Sequence, residues 1–215
     1  MQTKLYICIL VFIILPLIAA GLILNANFSQ VSLKNAIEAE RQKLLQTKKN
    51  IEFMVAEIED LSVRIISNDS IQQLLKERDQ DSPAYEWRYI EAMHWMNDVI
   101  GMRDAFYLVS ISRDGSVLFQ RGLFLASVNP DFERLAVDRQ GTLVWSHPET
   151  NRAQTSVEHS LSFYRNIMDF NQYGHSLGVL KISVEGKKID SVASVAGALP
   201  GEKHFLTDSQ GVILA

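Results

Sequence analysis

Ile37, Leu44, Ile51, Ile58 and Ile65 stand seven residues apart, with Met54 and Leu61 at the companion position. An apolar heptad of this length commits the segment to a long amphipathic helix whose stripe must be covered. Unbroken from Ser29 to about Lys76, it would run roughly 70 Å at 1.5 Å per residue. Val55, Ile66 and their neighbours widen the stripe in its second half, whereas Glu40 and Thr47 occupy companion positions in the first. A helix packed on its own domain is therefore favoured over a two-chain coiled coil. "SNDS" at 67–70 offers the backbone competing hydrogen bonds and is an expected interruption.

Upstream, Leu5 to Leu24 is a run of twenty residues without a charge. As a helix it is about 30 Å long, the hydrocarbon thickness of a bilayer. Signal-peptide cores are shorter and end at a small-x-small site, which "LNAN" fits poorly, so a retained anchor is favoured over a cleaved signal. Lys4 precedes the span, while Lys34 and Arg41 follow at a distance. That gives a cytoplasmic N-terminus and an external remainder. The net charge of -4 gives no basic footprint for a phosphate backbone, so nucleic acid is not expected as a partner. Cys8 is the single cysteine, which excludes an intrachain disulfide and a thiolate metal cluster.

Past the long helix, "KERDQDSPAYEW" breaks at Pro83 into a second helical pattern with Trp87, Ile90, Met93, His94 and Met96. "AFYLVSI" and "SVLFQ" flank "SRDG", whose Asp-Gly pair supplies the positive φ angles of a tight hairpin. "NPDFERLAVDRQG" reads as a short helix with Asn129 at the N-cap, Pro130 at the first position and Gly141 past the end. "TLVWSH", "HSLSFYRNI" and "HSLGVLKISV" read as three more strands, followed by a helix in "EGKKIDSVASVAGAL". "HFLTDSQGVILA" repeats the strand, turn, strand pattern of "YLVSISRDGSVLF" about 97 residues later, as two modules in tandem would. The order predicts an α+β chain with a five-stranded antiparallel sheet and helices against it.

The anchor, the long helix, the hairpin "YLVSISRDGSVLF", the pair "LSFYRNIMDFNQYGHSLGVLKISV" and the closing "FLTDSQGVILA" together resemble the extracellular double Cache sensor region of bacterial membrane sensor histidine kinases. The "SFYRNI" plus "LGVLKISV" combination is the most specific part. The resemblance implies a membrane anchor over 1–27 with its transmembrane helix at 5–24, and a signalling helix over 28–80. It further implies a PAS-like membrane-distal module over 81–198 and the start of a proximal module at 199–215. It also implies a homodimer, a second membrane helix, a HAMP segment and a kinase beyond Ala215, with a response regulator as downstream partner. Relative to that family the chain is expected to be truncated. "LGVLKISV" becomes the buried closing strand of the distal module, and "EGKKIDSVASV" the link to the next.

No HExxH, phosphate-cradling glycine loop, GxSxG or kinase signature occurs, so these residues are expected to catalyse nothing and to need no cofactor. The histidines at 94, 147, 159, 175 and 204 are scattered, without the close spacing a metal site favours. Trp145, Tyr164, Arg165 and Asp169 are the candidate ligand residues, combining aromatic walls with convergent polar groups. Arg165 could clamp a carboxylate or stack on a ring. The competing reading is a structural Arg165 to Asp169 pair with Trp145 in the core. Tyr107 and Phe163 read as core. The cluster that marks amino-acid-binding Cache domains is not visible, so amino acids are not favoured among small-molecule or peptide ligands. The leading expectation is an extracellular ligand sensor of a histidine kinase. A chemoreceptor or membrane-tethered AraC-type regulator is the alternative, and an anchored binding or scaffold protein the alternative of another class.

Overall fold

The computed structural model describes residues 2–101, 108–122, 128–146, 149–152, 157–172 and 174–193, with most side chains of 2–26 and those of 149–159 outside the description. The expected proximal module at 199–215, Tyr107 and His147 therefore lie outside the described residues. The chain forms two compact units, 1–46 and 47–215.

Helix α1 runs from Gln2 to Ile66. The expected span at 5–24 is helical backbone within it, and most of its side chains lie outside the described residues. Among the described residues, no helix is long and apolar enough to cross a membrane. Within the first unit, Ile37, Leu44 and Leu45 of the heptad segment are exposed. The second unit holds the other half of the stripe, where Met54, Ile58, Leu61 and Ile65 are buried. A helix packed on its own domain is what these four residues form.

The helix stops where the sequence expects an interruption. Ser67 donates its hydroxyl to the Val63 carbonyl, and Asn68 caps α2 (Asp69–Lys76) by accepting from the Ile71 N–H at 3.1 Å. Satisfying these terminal donors is what an N-cap contributes, about 1 kcal/mol. Helix α3 spans Pro83–Gly101 and buries Ala92, Met96 and Ile100. Trp87, expected on its apolar face, is exposed instead.

Strands β1 (Leu108–Arg113) and β2 (Ser116–Gly122) form the expected hairpin. Its turn residues Asp114 and Gly115 both have positive φ, 53° and 77°, as a primed two-residue turn demands. Helix α4 (Pro130–Asp138) carries Pro130 at its start, but Asn129 makes no side-chain cap bond. The positive φ of Gly141 falls just past its end. Strands β3 (Val144–Trp145), β4 (Glu149–Arg152), β5 (Val157–Met168) and β6 (Ser176–Glu185) follow, then α5 (Gly186–Ala193).

The sheet order is β2-β1-β6-β5-β3, with every pairing antiparallel. Strand β4 also pairs with β5, at Val157 to Ser160, while β3 pairs at Phe163 and Tyr164. These two short strands line one edge of β5, so the sheet is five strands wide, as expected. One face carries Val109, Ile111, Phe119, Leu161, Phe163, Leu180, Ile182 and Val184, packed with the buried stripe of α1 and with α2 and α3. That apolar layer is the core.

Gly178 lets β1 approach β6 closely: a Cβ there would lie 2.5 Å from the Ser112 carbonyl oxygen. The approach sits beside the register shift between Ile111 and Ser112. Gly178→Ala is expected to displace β1 and to destabilise the unit by about 1–3 kcal/mol, read as a drop in thermal midpoint. An unchanged midpoint would mean that the strands part freely.

Candidate functional site

Alternation along the three central strands sends every second side chain to the face away from α1. The register makes cross-strand rows there. Ser110, Lys181 and Tyr164 form one row; Leu108, Ser183 and Ser162 form the next; Ser112, Val179 and Asn166 lie on the other side. Apart from Leu108 and Val179, these rows are polar or aromatic, yet all are buried. Lys181 is 4% exposed and Ser183 fully covered. A sheet face that only had to pack would repeat the aliphatic composition of its reverse, since burying hydroxyls and an ammonium is unfavourable unless each finds partners.

Neighbours supply such partners. Ser162 and Ser183 share a 2.8 Å hydrogen bond across β5 and β6. The Ser146 hydroxyl accepts from the Ser162 N–H at 3.1 Å. The Lys181 ammonium lies 5.4 Å from the Tyr164 ring centroid, a cation–π distance. Helix α4 covers this end of the face: Phe132 stacks on Tyr164 at 5.6 Å, and Ala136 packs with Val144, Tyr164 and Val179. The arrangement combines one positive charge, several hydroxyls and an aromatic wall, which can hold the anionic end of a small molecule.

The four residues expected at the site do not converge. Tyr164 is on this face. Arg165, the next residue of β5, necessarily points the other way, and its Nη1–H donates to the Ser62 hydroxyl of α1 at 2.8 Å. Burial holds the Arg165 guanidinium below its ordinary pKa, and the Glu59 carboxylate opposes that shift. Trp145 also faces the helices, edge-on to Phe163 at 4.7 Å. Asp169 lies past the end of β5, bound to Lys76 at 2.6 Å. The Lys76 hydrogen bond holds its carboxyl below the usual carboxylate range. The alternative of an Arg165 to Asp169 pair gives way to two separate contacts, Arg165 with Ser62 and Asp169 with Lys76.

Lys181 and the serines escaped the sequence reading. The signal was the serine or lysine at every second position in "LVSIS", "SLSFY" and "LKISV". Among the described residues no cluster of His, Cys, Asp or Glu could hold a metal ion.

No protein-family profile matches the chain, and no curated protein sequence is significantly similar to it. Solved structures are. The extracellular domain of a protein described as a histidine kinase, vpHK1S-Z8, matches with a TM-score of 0.56 at 14% identity, over 75% of this chain and 63% of that one. A domain described as part of a sensory box/GGDEF family protein from Vibrio parahaemolyticus matches at 0.54 and 14%, over 71% and 61%. The ligand-binding domain of the Campylobacter jejuni chemoreceptor Tlp3, in complex with L-valine, matches at 0.52 and 14%, over 81% and 68%. The chain thus spans about three fifths to two thirds of the lengths it matches. Its fold is that of these sensory domains, the architecture that the resemblance to double Cache regions implied.

Proposed function

We propose that the chain is the extracytoplasmic ligand-sensing region of a two-component sensor histidine kinase, with α1 carrying the signal toward the membrane. The observation that supports this best is the buried hydroxyl and lysine face of the sheet, set back to back with the apolar face that grips α1. A ligand on one face and a signalling helix on the other share the same strands. The uncharged run at 5–24 supports a membrane anchor with a cytoplasmic N-terminus. The exposed Ile37, Leu44 and Leu45 stripe supports pairing with a second copy in a homodimer. The HAMP segment, kinase and response regulator follow from the resemblance. A chemoreceptor output is the second reading, favoured by the likeness to Tlp3.

The ligand in this reading is a small molecule whose carboxylate meets Lys181 and whose body lies along Tyr164 and the serines. The test is a thermal-shift screen of the whole chain in nanodiscs, with mono- and dicarboxylates, L-valine and neutral amides. A carboxylate at a hundredfold excess over its Kd is expected to raise the midpoint by about 5–10 °C. Lys181→Met is expected to abolish the shift. Stabilisation by neutral compounds alone, or an undiminished response in Lys181→Met, would remove this face as the binding site.

A further inference from the structure

A recess lies at the hairpin end of the same unit. It is a cleft of about 690 Å³ between the β1–β2 turn, the end of α2, the start of α4 and the loop joining β5 to β6. That volume is in the range of small-molecule sites. Neither Lys181 nor Tyr164 lines it.

Lys76, Arg78, Arg113 and Arg134 line the cleft together with the carboxylates of Asp114, Glu133 and Asp169. Two of its carboxylates are occupied by the protein itself: Asp169 by Lys76 at 2.6 Å, and Glu133 by the Ser112 hydroxyl. Arg113 is likewise occupied, its Nη1 donating to the Leu75 and Glu77 carbonyls at 2.9 Å each and so fixing the end of α2 as a wall. Among the described residues Arg134 meets only the solvated Asp131, at 3.3 Å, an exposed pair that exchanges readily for a ligand. Arg78 and His175 also face the cleft, and no side-chain hydrogen bond or ion pair engages either among the described residues. The remaining acid is Asp114, exposed at the turn.

We infer that this cleft, which reaches the Lys181 face only at Ser112 and Val179, is a second ligand site that takes a small oxyanion-bearing molecule, a carboxylate or a phosphate. Arg78, just past the end of α2, and Arg134, on α4, bring to it planar donor forks suited to such groups. His175 adds a third donor from the β5–β6 loop. Arg113 and the Lys76 to Asp169 pair, engaged within the protein, complete the lining of the cleft.

The experiment is isothermal titration of the whole chain in nanodiscs with inorganic phosphate and with malonate, at low salt and at 150 mM salt. One saturable equivalent per chain that does not depend on Lys181 is expected for at least one probe, weakening as salt rises. The double variant Arg78→Gln, His175→Gln is expected to weaken it at least tenfold, whereas Lys181→Met leaves it within twofold. Phosphate but not malonate binding would point to a phosphorylated ligand, and the reverse to a carboxylate; either supports the site. Absence of saturable binding, or binding indifferent to the double variant (an adventitious ion only), overturns it. Loss in Lys181→Met assigns the anion to the other face and also overturns it. Because the two variants act on different sites, failure here leaves the sensing role of the Lys181 face standing.

Discussion

Phe163→Ala is expected to cost about 3–5 kcal/mol of unfolding free energy, a large share of the roughly 5–15 kcal/mol that holds a domain folded. Phe163 occupies the middle of β5, opposite Ile182, and is 1% exposed. Its ring meets Trp145 edge-on and belongs to the same buried cluster as Ile58, Leu61 and Ile65 of α1. Truncation removes that aromatic pair and leaves a void between a sheet and a helix whose backbones cannot close over it. Urea unfolding measures the loss as a lowered midpoint at unchanged slope. Tyr164→Phe, one residue along and on the other face, keeps the ring that Phe132 stacks on and is expected to lose only about 1 kcal/mol. Equal costs for the two would mean that the helix-bearing face is not the core.

Much of this layer was legible before any coordinates. The Asp114-Gly115 turn could be read because positive φ is a local demand that few residues meet. The α1 stripe could be read because a heptad repeats over many turns, and Phe163 because it alternates with polar neighbours. The site was harder for a reason that the strands themselves supply. Period two separates two faces but does not say what covers each. Serine at alternate positions, as in Ser160 and Ser162 or Ser110 and Ser112, is also the pattern of a solvent-facing sheet. That α4 packs on this face is long-range information, held in the pairing of β5 with β6 and in the placement of Phe132. The same ambiguity misplaced Arg165. Its chemistry suits a ligand clamp, but it stands two residues from both Phe163 and Ile167 and so lies with them against α1.

Arg165→Met is expected to keep the fold and ligand affinity yet to silence the response of α1. Arg165 is a charged group inserted between sheet and helix, and its Nε is buried without a hydrogen-bond partner among the described residues. An unpaired buried donor costs about 1–3 kcal/mol. Ser62, its partner on α1, already donates to the Glu59 carbonyl at 2.7 Å and is not orphaned if the guanidinium goes. A methionine of similar reach is therefore expected to be neutral or stabilising by about 1 kcal/mol, while Arg165→Ala leaves a gap and loses about 1–3 kcal/mol. The contact matters for signalling because Tyr164, the neighbouring residue, faces the proposed ligand. A shift of β5 that repositions Tyr164 also moves Arg165, and Glu59 stands one turn from Ser62 as an alternative acceptor. A ligand can drive that exchange only by its differential affinity for the two arrangements. Amide hydrogen exchange over Glu59 to Ile66, with and without a stabilising carboxylate, reads the coupling directly. Wild-type protein is expected to change protection there on binding. Arg165→Met should bind within twofold and show no change. If that variant instead loses binding, Arg165 belongs to the ligand site after all, and the two-faced strand is not the route by which the signal reaches the helix.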